Sequence, residues 1–390
     1  MDLFSACGAD KSRTTRGGQV HSGTVFDDYE FGELLGHGAF GEVRKCKSKR
    51  GGPELAVKIL DLNHDSVKAQ QEVLSVKNEV EILQQLHHSN IVKFVDLYED
   101  PQFIYIIQEY VKGGELFEAL AMPGAQTEES DVAELARMMM RALQYLHGHD
   151  IVHRDIKAQN VLLTNPPQPG RVLLKENIKL IDFGMAGSLP GGQDPGFTQE
   201  CGSAAYKSPE AFASAPGAQP DWQSKYGRAY GTKADVWAAG VVLFLSLYGR
   251  LPFNGVDKRE VAAKVCGPNE VDLKPGGVGP SETCSRFLYR VFEKNPNQRC
   301  SASEALGDAW LSRMPYVGGR RQINQGTMKN AKMEADDAHK RHGGKERFNK
   351  MLQQKRAAVL RKLHLSSQDE DAESEYDYDG DGDEATCTLS

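Results

Sequence analysis

The sequence has no apolar run long enough to cross a membrane. Its longest apolar stretch, residues 236–248, is shorter than the ~20 residues that a transmembrane helix needs, so we expect a buried helix there. The first residues lack a basic region followed by an apolar run, and we expect no secretory signal. A mean hydropathy of −0.51 and a charged fraction of 26% over 390 residues predict a soluble globular protein.

Cysteine is sparse and shows no pairing pattern. The seven cysteines are scattered, odd in number and without a Cys-x-x-Cys pair. This usage is typical of a reducing compartment and argues against a disulfide framework. We therefore expect the protein in the cytoplasm, the nucleus or both, since the short clusters of lysine and arginine do not decide between them.

Charge is distributed unevenly along the chain. Residues 369–384 hold ten acidic residues and no basic one, and residues 317–364 hold thirteen Lys and Arg against four Asp and Glu. The remaining residues 1–316 hold 34 basic and 40 acidic residues. A basic segment beside an acidic tail argues against a specific nucleic-acid site, because the tail competes with phosphates for the same cations.

A glycine-rich turn follows the first predicted strand, residues 29–34. Gly36, Gly38 and Gly41 form a Gly-x-Gly-x-x-Gly pattern, which lets the backbone approach a polyphosphate closely. The pattern is weak alone, because an ordinary glycine-rich turn is equally compatible with it. A strand follows the turn instead of a helix, and this disfavours a dinucleotide-binding Rossmann turn.

An apolar strand, residues 55–60, carries Lys58 in its interior. A lysine in such a strand is costly unless it is paired, so we expect Lys58 to contact phosphates and a carboxylate. The next segment has apolar residues at three- and four-residue steps, which predicts an amphipathic helix. Glu72, Glu79 and Glu81 on this helix are the candidate partners, although most helical glutamates are simply solvated.

Further motifs follow in the middle of the chain. Asp155, Lys157 and Asn160 stand at positions n, n+2 and n+5, and Asp182-Phe183-Gly184 ends a later apolar stretch. After them come Ser208-Pro209-Glu210 and Asp235-Val236-Trp237-Ala238-Ala239-Gly240. Joined to the glycine-rich turn and the lysine strand, these six motifs resemble, in order and spacing, those of the protein kinase family.

The resemblance covers residues 24–316 and implies both a fold and a reaction. The fold is the α+β, two-lobed kinase fold, with a sheet-rich N-lobe and a mainly helical C-lobe. The reaction is transfer of the ATP γ-phosphate to Ser or Thr hydroxyls of a protein substrate, with Mg²⁺. The domains expected are a disordered N-terminus (1–24), a kinase domain (25–316, with N-lobe 25–111 and C-lobe 112–316), a basic segment (317–365) and an acidic disordered tail (366–390).

The resemblance also implies roles for the catalytic motifs. Asp155 is expected to be the catalytic base that accepts or orients the proton of the substrate hydroxyl. Lys157 would neutralise charge near the γ-phosphate, and its position two residues after Asp155 favours serine/threonine specificity. Asn160 and Asp182 would offer oxygen ligands to Mg²⁺.

The same resemblance implies that ATP lies between the lobes. Lys58 would hold the α- and β-phosphates while pairing with Glu79, with Glu81 as the alternative. Gln108 would guard the pocket behind the adenine. The residues expected to contact ATP are Leu35, Gly36, His37, Gly38, Ala39, Phe40, Gly41, Val43, Ala56, Lys58 and Leu162, together with the backbone of Glu109 and Val111.

Motifs in the activation segment, residues 182–210, and in two earlier segments indicate the kinase group. Cys201-Gly202-Ser203 and residues 113–117 resemble the calcium/calmodulin-dependent-kinase-like group, whereas residues 153–160 also resemble the sterile-twenty-like group. Thr198 lies beside Gln199, which stands at the position where many relatives are phosphorylated. We expect its phosphorylation to be dispensable, because Glu200 would partly satisfy Arg154.

Two regions outside the catalytic motifs are also predicted. Residues 345–363 alternate apolar and basic side chains, which predicts a basic amphipathic helix that binds calmodulin, another regulator or a membrane surface. A solvated helix, a disordered linker and an autoinhibitory segment that folds back on the C-lobe are the alternatives. Residues 211–231, rich in Ala, Gly and Pro, are predicted to be a surface loop insertion.

Two other functions stay open from the sequence. A scaffold without catalysis is disfavoured because Lys58, Asp155, Asn160 and Asp182 are all present. A small-molecule kinase is disfavoured because residues 203–210 resemble a platform for a protein substrate.

Overall fold

An antiparallel sheet of five strands forms the N-lobe of the computed structural model. The strands are β1 (Tyr29–His37), β2 (Gly41–Ser48), β3 (Glu54–Asp61), β4 (Phe94–Glu99) and β5 (Phe103–Glu109), in the order β1-β2-β3-β5-β4. On β3, Leu55, Val57 and Ile59 are buried, whereas Ala56 and Lys58 are half-buried. This alternation gives the strand two distinct faces, one in the core and one toward the site. The structure describes residues 24–37, 41–62, 67–168, 172, 178–189, 196–198, 201–274, 279–312 and 321–322.

One long helix, α2 (Val67–Gln85), packs against this sheet, and the short helix α1 (Val25–Asp28) precedes it. Val76 and Val80 of α2 lie in an apolar cluster with Ile104 and Ile106 of β5. The predicted spacing of three to four residues therefore does place one face of α2 on the sheet. This contact fixes the rotation of α2, and with it the direction of its glutamates.

Helices dominate the C-lobe. They are α3 (Leu116–Ala121), α4 (Glu129–Gly148), α5 (Pro209–Ala213), α6 (Pro220–Tyr226), α7 (Thr232–Tyr248), α8 (Lys258–Cys266), α9 (Glu282–Val291), α10 (Ala302–Leu306) and α11 (Ala309–Ser312). Helix α7 is buried along almost its whole length, as its apolar sequence predicts, and Trp237 packs against Phe253 and Phe292. It ends at Gly249, whose left-handed backbone (φ 65°) is the usual stop for a helix.

Short strand pairs lie outside the five-stranded sheet, and two of them position the loops between the lobes. They are β7 (Ile151–Val152) with β10 (Gly187–Ser188), β8 (Val161–Leu163) with β9 (Ile178–Leu180), and β6 (Gln126–Thr127) with β11 (Arg321–Gln322). Strands β7 and β8 flank residues 153–160, and β9 and β10 flank residues 181–186. The two segments that carry the predicted catalytic motifs therefore lie side by side.

The predicted loop insertion at residues 211–231 is wrong for part of its length. Residues 220–226 form helix α6, which begins with Pro220, a residue suited to a first helical turn. Its buried Tyr226 donates a hydrogen bond of 2.8 Å from Oη to the carbonyl of Cys266. Tyr226 lies in the C-lobe core and Trp222 packs against the same core, so α6 is held by aromatic burial in a segment whose composition indicates a loop.

The arrangement confirms the predicted two-lobed α+β fold. Backbone contacts join the lobes where Val92 N donates to the carbonyl of Leu180 (2.9 Å) and Leu180 N donates to that of Asn90 (2.8 Å). Within the described residues, no helix is long and apolar enough to cross a bilayer.

Candidate active site

Lys58 forms an ion triad between the lobes. Its Nζ lies 2.8 Å from both carboxylate oxygens of Glu79 and 3.3 Å from Oδ1 of Asp182. Strand β3 supplies the lysine, α2 supplies Glu79, and the segment after β9 supplies Asp182. Burial alone would lower the pKa of Lys58, but the two carboxylates outweigh burial and raise the pKa, so the ammonium stays charged.

Asp182 is held in an unusual backbone conformation. Its φ of 64° lies in the left-handed region, which non-glycine residues seldom adopt. The Lys58 ammonium lowers the pKa of the Asp182 carboxyl to about 2 against the opposing effect of burial, with smaller contributions from Lys157 and His153. At neutral pH the side chain is therefore an ionised carboxylate beside the triad.

Asp155, Lys157 and Asn160 converge on one point. Lys157 Nζ lies 2.6 Å from Oδ2 of Asp155. Asn160 Nδ2 donates to the backbone carbonyl of Asp155 at 2.9 Å and to its Oδ2 at 3.1 Å. The spacing n, n+5 works because residues 158–160 form a single 3₁₀ turn that returns Asn160 to Asp155. With its nitrogen used for these bonds, Asn160 has its amide oxygen left as an acceptor.

Buried Asp235 of α7 anchors the residues before Asp155. Its carboxylate accepts hydrogen bonds from the backbone N–H of His153 and of Arg154, both at 2.9 Å, and lies 3.0 Å from Nε2 of His147. Burial would raise the pKa of Asp235, but these hydrogen bonds and the neighbouring imidazoles lower it below its usual value. In the sequence, Asp235 stands out only as part of the motif at residues 235–240. A carboxylate in a buried apolar helix was the signal that it must have partners.

The predicted ATP contacts lie along the inner face of the sheet and on β8. Ala56 and Lys58 share one face of β3, and Val43 of β2 pairs with Lys58 across the ladder. Val43, Ala56 and Leu162 are half-buried, so an apolar surface stays open beside the lysine. Gly41 begins β2 where any Cβ would lie 1.8 Å from the carbonyl of Ile59, so only glycine fits there.

Other predicted contacts fall at the rim of this face. Leu35 is exposed and Gly36 is half-buried on β1, while Glu109 and Val111 lie at the crossing between the lobes. The carboxylate of Glu109 lies 2.6 Å from Lys179 Nζ and accepts a hydrogen bond of 2.7 Å from the backbone N–H of Lys93. His37 is described by its backbone alone. Gly38, Ala39 and Phe40 lie outside the described residues.

Glu210 and Arg299 form a buried ion pair below the site. Nη1 of Arg299 lies 2.5 Å from Oε1 of Glu210, and Nη2 lies 2.9 Å from Oε2. Both side chains are fully buried. This bidentate pair ties the end of the activation segment to the segment after α9 and does not touch the triad.

The chain is similar to known protein kinases. The model of the protein kinase domain family matches residues 29–311. A calcium/calmodulin-dependent protein kinase type 1 from Caenorhabditis elegans is 30% identical over 297 residues, which cover 76% of this chain and 77% of that protein. The type 1 enzyme from Macrobrachium nipponense is 31% identical over 290 residues, covering 74% and 76%. The serine/threonine-protein kinase DCLK2 from Ailuropoda melanoleuca is 32% identical over 294 residues, covering 75% and 34%.

Proposed function

This chain belongs to the protein kinase family and is a serine/threonine protein kinase, and we propose that Asp155 is the centre of its phosphoryl transfer. Kinase domains use ATP and a divalent metal ion. One observation carries the proposal: the triad of Lys58, Glu79 and Asp182 lies beside the cluster of Asp155, Lys157 and Asn160. The two are joined where the N–H of Ile181 donates to the backbone carbonyl of Asn160 at 3.0 Å. Transfer of a phosphoryl group asks mainly for positioning and charge neutralisation, and these are the groups that supply both.

Asp155 orients the substrate hydroxyl and takes up its proton. Lys157, 2.6 Å from the Asp155 carboxylate, holds that carboxylate in place and neutralises charge that develops on the γ-phosphate. The hydrogen bonds from Asn160 fix the other side of Asp155, so that the carboxylate has one orientation before substrate arrives.

Asp182 and Asn160 are the residues that would hold Mg²⁺. The fit is chemical: Asp182 is an ionised carboxylate, Asn160 presents an amide oxygen, and Mg²⁺ prefers hard oxygen ligands. The described residues contain no group of three or more His, Cys, Asp or Glu that could hold a metal by itself, and Mg²⁺ in such sites takes its other ligands from water and phosphate. When bound, Mg²⁺ neutralises the phosphate oxygens.

The inner face of the sheet receives the nucleotide. Val43, Ala56 and Leu162, with Leu35 at the rim, give the adenine an apolar surface, and the backbone of residues 109–111 offers it hydrogen bonds. The ammonium of Lys58, kept charged by Glu79, contacts the α- and β-phosphates. The backbone at Gly36, His37 and Gly41 lies along the phosphates.

A regulatory role for the basic segment, residues 317–365, is part of this proposal. The family match over residues 29–311 supports a kinase domain of residues 25–316, and we infer that the basic residues 345–363, which lie outside the described residues, bind calmodulin or another regulator. Two similar proteins are named calcium/calmodulin-dependent kinases, which supports calmodulin as the first candidate. Calorimetric titration of the full chain with calmodulin, with and without Ca²⁺, tests this. Absence of heat in both titrations contradicts it.

We propose a cytoplasmic or nuclear location, which imaging of the tagged full chain tests.

The enzymatic test compares wild type, Asp155→Asn and Asp221→Asn on an array of serine and threonine peptides with ATP and Mg²⁺. General-base positioning contributes roughly 10²–10⁴-fold in typical enzymes, so Asp155→Asn should lose at least about a hundredfold in kcat. Asp221 is exposed on α6, and Asp221→Asn makes the same chemical change away from the cleft, so it should transfer phosphate at the wild-type rate. Equal rates for all three proteins, or ATP binding without transfer by wild type, would contradict the proposal and favour a scaffold.

A further inference from the structure

Arg154, directly before the proposed base, is satisfied by neutral groups. Its Nε donates to the carbonyl of Met185 (2.5 Å) and its Nη2 donates to that of Ala186 (3.3 Å). Its Cζ lies 4.2 Å from the ring centroid of Phe197. Among the described residues, no carboxylate forms an ion pair with this guanidinium. An arginine beside the catalytic centre is therefore faced by an aromatic ring.

The backbone of Arg154 depends on these contacts. Its φ of 64° lies in the left-handed region, a conformation that persists in a non-glycine residue only when its surroundings impose it. On one side the N–H of Arg154 is held by Asp235. On the other side the side chain is held by the two carbonyls, by Phe197 and by the hydroxyl of Tyr230. Loss of one of these restraints should loosen Arg154, and with it the neighbouring Asp155.

Phe197 is fixed against Arg154 by its own surroundings. Its N–H donates to the carbonyl of Tyr230 (2.8 Å), the N–H of Tyr230 donates back to Phe197 (3.1 Å), and the two rings lie 5.8 Å apart. Gly187 of β10 lies under the ring, since a Cβ there would be 2.6 Å from a ring carbon. The ring therefore occupies a closely fitted position between Gly187, Tyr230 and the guanidinium.

The contact between Arg154 and Phe197 is also connected to the Lys58 triad. Asn78 Nδ2 donates to the carbonyl of Ala186 at 2.7 Å, the same oxygen that accepts from Arg154. Asn78 precedes Glu79 on α2. A single carbonyl thus links the loop of Arg154 to the helix that supplies the partner of Lys58.

We propose that Phe197 is a positioning residue for phosphoryl transfer, which acts through Arg154 and holds Asp155 in place without a phosphate on the activation segment. The negative face of the ring provides what an anionic group would otherwise provide to the guanidinium. The inference rests on the proposed role of Asp155. Because the chain holds Arg154 with a residue that is always present, this part of the site is assembled as soon as the chain is folded.

The test uses phosphatase-treated full chain and measures kcat and the KM for ATP. Phe197→Leu keeps apolar volume and the backbone bonds to Tyr230 but removes the aromatic face, whereas Phe197→Tyr keeps the face. A cation–π contact of this kind supports a loss of about 2- to 30-fold in kcat for Phe197→Leu, with KM for ATP unchanged and kcat restored by Phe197→Tyr. Thr198→Ala, at the exposed neighbouring side chain, is the matched control and should keep the wild-type kcat.

A second arm changes the other partner. Arg154→Lys keeps the charge but cannot stack as a plane, so it should lose kcat to a similar extent, and its combination with Phe197→Leu should lose little more. Thermal melting of each variant separates loss of positioning from loss of folding. A Phe197→Leu enzyme with wild-type kcat, a Phe197→Tyr enzyme as slow as Phe197→Leu, or independent effects in the double variant overturns the inference.

Phosphatase treatment separates this inference from the proposed function. Wild-type activity that survives treatment supports both. Activity that disappears on treatment overturns the role of Phe197 and leaves the proposed kinase function intact. Absence of activity before and after treatment overturns both.

Discussion

Replacing Arg299 should destabilise the C-lobe strongly while leaving the chemistry of the folded enzyme intact. The guanidinium is fully buried and uses all its donors: Nη1 and Nη2 bond Glu210, Nε bonds the carbonyl of Glu293 (2.8 Å), and the remaining hydrogens bond the carbonyls of Lys233 (2.9 Å) and Lys294 (3.4 Å). Arg299→Met fills much of the volume but leaves the Glu210 carboxylate buried without its partner.

The expected magnitude follows from that burial. Removing one partner of a buried ion pair costs about 3–5 kcal/mol of unfolding free energy. Domains of this size lose about 2–4 °C in melting temperature per kcal/mol, so Arg299→Met should melt about 6–20 °C below wild type. Arg299→Lys, which keeps the charge but cannot form the fork, should lie between the two proteins.

Urea and thermal unfolding of the full chain measure this loss. Arg286 provides the matched control, because its side chain is 65% exposed and pairs with Glu282, whose side chain is 88% exposed. Arg286→Met should cost less than about 1 kcal/mol. Equal losses for the two methionine variants would refute the reasoning that burial sets the cost. A lower kcat per folded molecule of Arg299→Met would refute the purely structural role of the pair.

Three further outcomes are expected. Thr198→Ala should keep phosphate transfer in the peptide assay, and loss of activity in a folded protein would contradict this. Since the Lys58 ammonium depresses the pKa of Asp182 to about 2, the stability from this contact is complete above the unfolded pKa of about 3.9 and is lost as pH falls through about 2. Lys58→Met should raise the Asp182 pKa in a carboxyl NMR titration, and an unchanged pKa would be inconsistent with the triad. Deleting residues 317–390 should raise activity if that segment inhibits the domain, and unchanged activity would exclude inhibition.

The parts of the site that could be predicted from sequence are those carried by local pattern. The alternation along β3 marks which face holds Lys58, and the spacing of Val76 and Val80 marks the sheet-facing side of α2, so Glu79 lies opposite the lysine. The turn at residues 158–160 is short, which brings Asn160 back to Asp155 within the same loop. Such contacts follow from periods and turns.

Contacts that depend on the packing of distant segments could not be predicted. Phe197 meets Arg154 only because Tyr230, in a segment between two C-lobe helices, pairs with its backbone. Glu200, the residue expected from the sequence to satisfy the same arginine, lies outside the described residues. Helix α6 was missed because seven residues among Ala, Gly and Pro give too little periodicity, whereas burial of Tyr226 and Trp222 against the C-lobe core stabilises it.

The backbone hydrogen bonds at Leu180 that join the lobes have a consequence for how the cleft can open. Strand β9 is bonded on one side to β8 of the C-lobe and on the other to residues 90–92, which continue into the N-lobe sheet. Asp182 follows two residues later, so it lies close to this backbone contact between the lobes. We expect a rotation of the lobes about this contact to displace the distant rim at Leu35 and Gly36 much more than it separates Lys58 from Asp182. We therefore expect nucleotide exchange to need opening at the outer edge of the cleft, with little separation of the residues at its base.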